Sequence, residues 1–200
     1  MKRCVSLAAV LLSFGALARA DVKLPSIFTD HMVLQRAEPV AIWGSATGGE
    51  EVKVTFAGQT KTTKADGKGA WKVTLDPLKE NAKPSELVVA GRNTVTVKDV
   101  LVGEVWICSG QSNMQWTVAA SNNADQEIKS ADFPAIRMFN IERETALTPQ
   151  NDCKGAWFLA NPQNAGAFSA VGYFFGRNLH QALNVPVGLI NTSWGGTRVE

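Results

Sequence analysis

The chain has 200 residues, 20 Lys and Arg against 18 Asp and Glu, and a formal net charge of +2 at pH 7. Its first twenty residues, MKRCVSLAAVLLSFGALARA, join a basic start to an apolar middle and small residues at Ala18 and Ala20, the pattern of a secretory signal peptide. Without that segment Lys2, Arg3 and Arg19 go and no acidic residue does, so 17 basic residues face 18 acidic ones and the charge becomes −1, a near-neutral balance with no basic run that excludes an electrostatic case for nucleic acid.

The apolar run of the leader is short for a bilayer, and no later run reaches a transmembrane length. Cys4 lies in the basic start, well before the cleavage site, so no lipid-anchored mature cysteine is expected. The expectation is an exported protein, secreted or periplasmic, without a membrane anchor. Cys108 and Cys153 are the cysteines left after cleavage. They are either a disulfide, which export permits, or two buried thiols.

From residue 21 to about 100 the sequence breaks into short strand-like pieces: MVLQ, PVAIWGS, EEVKVTFAG, QTKTTKA, AWKVTL, SELVVAG and NTVTVKDV. Gly, Pro, Asn and Asp punctuate them at the spacing of an all-β sandwich. Val52-Lys-Val-Thr-Phe56 alternates apolar and polar residues, one face in and one face out. Asp66-Gly67 and Gly69 predict a tight turn.

After residue 100 the texture changes. Leu101-Val-Gly-Glu-Val-Trp-Ile107 is a nearly continuous apolar segment, as in a parallel strand buried on both faces. A short helix is predicted over Ala124–Ser130, a strand over Ala135–Ile141, and then a long loop rich in Asn, Pro and Gly. A helix follows over Ser169–Asn184, with apolar residues at Val171, Phe174, Phe175, Leu179 and Leu183, and Pro186–Ile190 is the next buried strand. The fold class is therefore α/β: a β-sandwich-like module over 21–100, then over 101–200 the front of an α/β domain whose parallel sheet is incomplete.

In open α/β sheets ligands gather beyond the carboxyl ends of the strands. Two segments fall there, Trp106-Ile-Cys-Ser-Gly-Gln-Ser-Asn-Met-Gln-Trp116 and Asn191-Thr-Ser-Trp-Gly-Gly-Thr197. Ser112 admits two readings. A serine opening a helix has a nucleophilic hydroxyl and its own N–H facing developing negative charge, half of an oxyanion hole. The same residues, Ser112-Asn-Met-Gln115, fit a capping box, with the hydroxyl on the N3 amide and Gln115 reaching back. Met114 stands where a G-x-S-x-G elbow would have its second glycine.

Resemblance adds to this. SGQSNM at Ser109–Met114, preceded by LVGEVWIC, resembles the nucleophile block of SGNH-type hydrolases, specifically the sialate O-acetylesterase family. FTDHMVLQR at Phe28–Arg36, FSAVGYFFGRNLH at Phe168–His180 and VPVGLINTSWGGTRVE at Val185–Glu200 resemble further segments of that family in the same order. The resemblance implies a three-layer α/β/α esterase domain after the β module. It also implies removal of O-acetyl groups from sialic acid through an acyl-enzyme, with no cofactor and no metal.

By position, Ser112 is then the nucleophile, and the turn supplies oxyanion donors at Gly195 and Gly196, with Asn191 a further candidate. Gly172 is read either as a site glycine or as a mark of close helix packing. Members of the family complete the triad with Asp-x-x-His, which this chain lacks. Its histidines are His31 and His180, and neither has an aspartate three residues before it. The expectation is a nucleophile whose base lies outside the chain. Two alternatives stay open: an acetylesterase acting on polysaccharide acetyl groups, and a non-catalytic carbohydrate-binding or structural piece in which Trp43, Trp71, Trp116 or Trp194 meets sugar.

Overall fold

The structure is a computed structural model describing residues 21–198, so the predicted signal peptide lies outside the described residues. Its first part contains β1 (Val33–Gln35), β2 (Val40–Ser45), β3 (Glu51–Phe56), β4 (Gln59–Lys64), β5 (Ala70–Leu75) and β6 (Asn81–Ala90). Alternation decides which side chains go inward. Val52, Val54 and Phe56 of β3 and Trp71, Val73 and Leu75 of β5 are buried, while their neighbours face out. The predicted turn at Asp66 is held by that carboxylate, whose Oδ1 accepts the Lys68 and Ala70 N–H groups at 2.8 and 2.9 Å. β2 and β5 form a two-stranded antiparallel sheet, and their inward side chains share one core with β3, β6 and the start of the next strand.

That next strand, β7 (Thr94–Cys108), has 15 residues and merges two segments read separately from the sequence. Its first half pairs antiparallel with β6, Leu101–Gly103 pairs parallel with β1, and Glu104–Cys108 pairs parallel with β10 (Val187–Asn191). The boundary read at residue 100 thus falls inside one continuous strand. The eight-stranded sheet runs β4-β3-β6-β7-β10-β8-β9, where β8 is Phe133–Asn140 and β9 Trp157–Ala160, with β1 beside β7. The result is a mixed α/β fold with one large sheet.

Two expectations are corrected. The end of β7 is not buried on both faces: Trp106 is 44% and Ile107 69% exposed, because β10 pairs with Glu104–Cys108 on one side and no strand among the described residues pairs on the other. The long loop after β8 is not structureless, since β9 returns antiparallel to β8 within it.

The helices are α1 (Ser112–Gln115), α2 (Ala124–Lys129) and α3 (Ala170–Leu183). The Ser169 hydroxyl accepts the Gly172 N–H at 3.1 Å to start α3, and Asn184 stops it in the left-handed conformation. α3 buries Ala170, Gly172, Tyr173 and Gly176 and leaves Val171, Phe175 and Leu183 exposed. Small residues win that face because the sheet comes close. A Cβ on Gly176 would lie 2.6 Å from Leu189 Cδ1, and one on Gly172 2.9 Å from Cys108 Sγ. Gly172 therefore marks close packing. Among the described residues no helix is long and apolar enough to cross a membrane.

Candidate active site

β7 and β10 are adjacent and parallel, so the loops leaving their carboxyl ends emerge side by side. After Cys108 the chain turns through Gly110 at φ +144, where a Cβ would approach Met114 Cβ to 3.2 Å, so a side chain there would be strained. The turn after β10 is fastened to this loop by two backbone hydrogen bonds. Thr192 N–H donates to Cys108 O at 3.1 Å and Trp194 N–H to Gly110 O at 2.9 Å. The sequence-predicted serine and glycine are thereby brought together: Ser112 Oγ lies 3.7 Å from where a Gly195 Cβ would be.

The capping box is not formed. Gln111 occupies the cap position, no side chain caps α1, and the Ser112 hydroxyl donates instead to Gln111 Oε1 at 3.1 Å. Gln115 does not reach back to the helix start; its Oε1 accepts the Gly195 N–H at 2.5 Å. A single turn of helix buries none of its residues, so Ser112 stays exposed.

Ser112, Gln115, Trp116, Thr117 and Gly195 line a shallow cleft of about 360 Å³. The indole of Trp116 is 58% exposed and anchored by its Nε1–H to Ala120 O at 2.9 Å. A neighbouring hollow of about 340 Å³ shares Gln115 and Thr117 and adds Asn140, Arg143, Asn191 and Ser193. There Asn191 is tied at both ends, Nδ2 donating to Asn140 Oδ1 at 3.0 Å and Oδ1 accepting the Ser193 N–H at 3.1 Å. Arg143 Nε–H donates to Ser193 O at 3.3 Å, and the buried Ser193 Oγ has no hydrogen-bond partner among the described residues. Gly196, at φ +83, meets nothing within 4 Å of a Cβ position. Gln115, Asn140 and Arg143 were not singled out from the sequence; only Gln115 had a signal, and it read as part of a cap.

Both histidines are committed elsewhere. His180 Nδ1–H donates to Val185 O at 2.7 Å just past the end of α3. His31 Nδ1–H donates to Asp99 Oδ2 at 2.6 Å, and the same carboxylate takes two hydrogen bonds from Arg137 at 2.7 and 3.1 Å. Among the described residues the Ser112 hydroxyl contacts no histidine and no carboxylate, and no cluster of His, Cys, Asp and Glu is suited to a metal ion. Cys108 and Cys153 are free thiols, so the disulfide does not form. Burial beneath α3 pushes the Cys108 thiol up to about 11, while Cys153 is only half-buried. A larger cavity, about 810 Å³, lies apart from this site, around Trp43.

A serine and a glycine amide at adjacent ends of parallel strands suit ester chemistry, and the proteins this chain is similar to are named for it. Residues 102–200 match a family model described as carbohydrate esterase, sialic acid-specific acetylesterase. The sialate O-acetylesterase of Rattus norvegicus is 38% identical over 89% of this chain and 36% of its own length. That of Mus musculus is 36% identical over 96% of this chain and 40% of its own length. The crystal structure of a carbohydrate acetylesterase from Xanthomonas citri superposes with a TM-score of 0.86 at 38% identity, over 90% of this chain and 42% of that one. The chain belongs to the sialic acid-specific acetylesterase family, and it spans about two-fifths of the length of these relatives.

Proposed function

We propose that the chain carries the nucleophile of an exported carbohydrate O-acetylesterase acting on O-acetylated sialic acid. The observation that carries this reading is the meeting of Ser112 Oγ and the Gly195 turn, with 3.7 Å between the hydroxyl and the Gly195 Cβ position, in a chain of this family. In this reading residues 21–100 are a β-sandwich-like module, 101–200 begin an SGNH-type α/β/α domain, and residues 1–20 direct export.

Ser112 Oγ attacks the acetyl carbonyl while a base takes its proton. The carbonyl oxygen gathers negative charge and is met by backbone N–H groups, those of Ser112, Gly195 and Gly196. The acyl carbon–oxygen bond to the sugar breaks, the sugar oxygen takes the proton, and water then hydrolyses the acetyl-serine. Gln115 must yield for this to happen, since its Oε1 holds the Gly195 N–H in the resting arrangement. Asn191 acts through Ser193 and Asn140, keeping the turn in place. The base is neither His31 nor His180, both already hydrogen-bonded away from Ser112; it comes from sequence outside these 200 residues.

The test is acetate release from O-acetylated sialic acid, by the 200-residue chain and by the enzyme encoded by the whole native gene, each with its Ser112→Ala form. The whole enzyme should lose at least about a thousandfold in kcat on that change. The 200-residue chain should turn over far below the enzyme median of about 10 per second. A whole enzyme that kept its rate without the Ser112 hydroxyl would refute the assignment.

A further inference from the structure

A cavity of about 810 Å³ has no part in the site just described. It lies beside the outer face of the β2–β5 sheet, and none of its lining residues lines the Ser112 cleft. Trp43 sits in its wall, 40% exposed, facing out from β2. An indole combines a flat apolar face with a polar N–H, which suits it to contact surfaces. This one is also held in orientation, because Phe28 packs edge-on against it with ring centroids 4.6 Å apart. A fixed flat apolar surface beside a cavity of about 810 Å³ is large enough for more than one sugar ring.

The charges around it are unbalanced in a specific way. Lys23, Lys64, Lys68 and Lys72 line the cavity, with Asp66 and Asp152 as the acidic residues. Both carboxylates are already used by the backbone. Asp66 Oδ1 accepts the Lys68 and Ala70 N–H groups at 2.8 and 2.9 Å, and Asp152 Oδ1 accepts those of Ser26 and Cys153, both at 2.8 Å. The ammonium groups of Lys23, Lys64 and Lys72 have no hydrogen-bond or ion-pair partner among the described residues. Lys72 stands directly opposite Trp43 in the β2–β5 ladder, so the two side chains leave the same face together. The lining holds a further group: Trp71 is 3% exposed, and its buried Nε1–H has no acceptor among the described residues.

From this arrangement we infer a second carbohydrate site, specific for an anionic glycan, in which the C–H face of a sugar ring lies on the Trp43 indole and its acidic groups meet Lys64 and Lys72. Neutral glycan would leave the cations unanswered, and an acidic polypeptide would leave the indole without a ring to stack on. A built pair of aromatic platform and free cations recognises both features at once. The site does not depend on the esterase reading, since it shares no residue with the Ser112 cleft.

Native electrophoresis of the protein through gels containing polysialic acid, dextran sulfate, neutral dextran or polyglutamate tests this. The expected result is retardation by one or both anionic glycans, weakened by salt, with little by neutral dextran or polyglutamate. Trp43→Ala should weaken glycan binding about tenfold, equivalent to roughly 1.4 kcal/mol. The double change Lys64→Gln and Lys72→Gln, at exposed positions that carry no packing, should weaken it while leaving the circular dichroism and melting temperature unchanged. Ser112→Ala should leave retardation intact and so separates this site from the esterase cleft. Polysialic acid against dextran sulfate tells whether carboxylate or sulfate is preferred. Retardation equal in polyglutamate and indifferent to Trp43→Ala would overturn the inference, as would loss of retardation with Ser112→Ala or no retardation by either anionic glycan.

Discussion

Gly195 and Gly196 are neighbours in one turn, yet a methyl group added to each meets different surroundings. At Gly195 a Cβ falls 2.7 Å from Gln115 Oε1 and 3.7 Å from Ser112 Oγ, so alanine there displaces the glutamine and sets a methyl group in van der Waals contact with the hydroxyl, in the space an acetyl group must enter. At Gly196 the new Cβ meets nothing within 4 Å, but the backbone lies at φ +83, where an L side chain costs about 1–2 kcal/mol. In the whole enzyme, Gly195→Ala should lower kcat/KM by about tenfold or more with little change in melting temperature. Gly196→Ala should do the reverse, lowering the melting temperature more than the rate. Steady-state kinetics and thermal unfolding of the two variants check this contrast. Ser112 and this turn were legible because short motifs carry them. The hold of Gln115 on Gly195 was not, because it joins residues 80 positions apart and the local pattern Ser-x-x-Gln suggested a cap.

The link between β7 and β8 is an ion-pair cluster with one buried member. Arg137 on β8 is 3% exposed and donates to both oxygens of Asp99 on β7, to His31 O and to Pro134 O. Partial burial by itself raises the Asp99 carboxyl. The hydrogen bonds and charge of Arg137, with those of His31, outweigh it and hold the group below the usual carboxylate range. A depressed folded-state value stabilises the fold above the unfolded value near 3.9, and that contribution is lost as the pH falls through the folded one. Asp99→Ala should destabilise the protein by about 3 kcal/mol, because it leaves a buried guanidinium unpaired. The difference from wild type in urea unfolding should shrink below pH 4. Strand positions were readable here from apolar alternation, but this cluster was not: its members are 38, 68 and 106 residues apart. Asp99, at φ +54 next to Lys98, also made one long strand read as two. β9 escaped notice because four residues inside an Asn- and Pro-rich stretch carry too little pattern.

Across the whole molecule, apolar surface is left uncovered where the parallel strands meet α3. Trp106 stacks edge-on against Phe175 with ring centroids 5.0 Å apart, and Ile107, Val171 and Leu183 are exposed as well. An open strand edge beside exposed aliphatic and aromatic side chains favours association between copies. The 200-residue chain should therefore self-associate as its concentration rises. Ile107→Lys, at a position 69% exposed, should shift it toward monomer without loss of melting temperature. Sedimentation velocity across a concentration series distinguishes these outcomes. The strand was legible as apolar; its exposure was not, because side-chain pattern reports what could be buried and says nothing of which neighbours arrive to bury it.

β7 also gives a single stretch of backbone two different levels of shelter. Around Leu101 and Val102 it has both β6 and β1 as partners, whereas from Glu104 onward only β10 accompanies it among the described residues. The Gln35 side chain reaches over as a stand-in and accepts the Val105 N–H at 2.8 Å, two residues past the end of the β1 pairing. Deuterium uptake should therefore change along one unbroken strand. The Val97–Leu101 amides should be slow, Val105 should be slow only while Gln35 is present, and Ile107 should be fast. Residue-resolved exchange on the wild type and on Gln35→Ala would follow that gradient. A uniform rate from Thr94 to Cys108 would mean that the strand opens as one piece, and that the fraying of its far end is shared with the part that ties the sheet together.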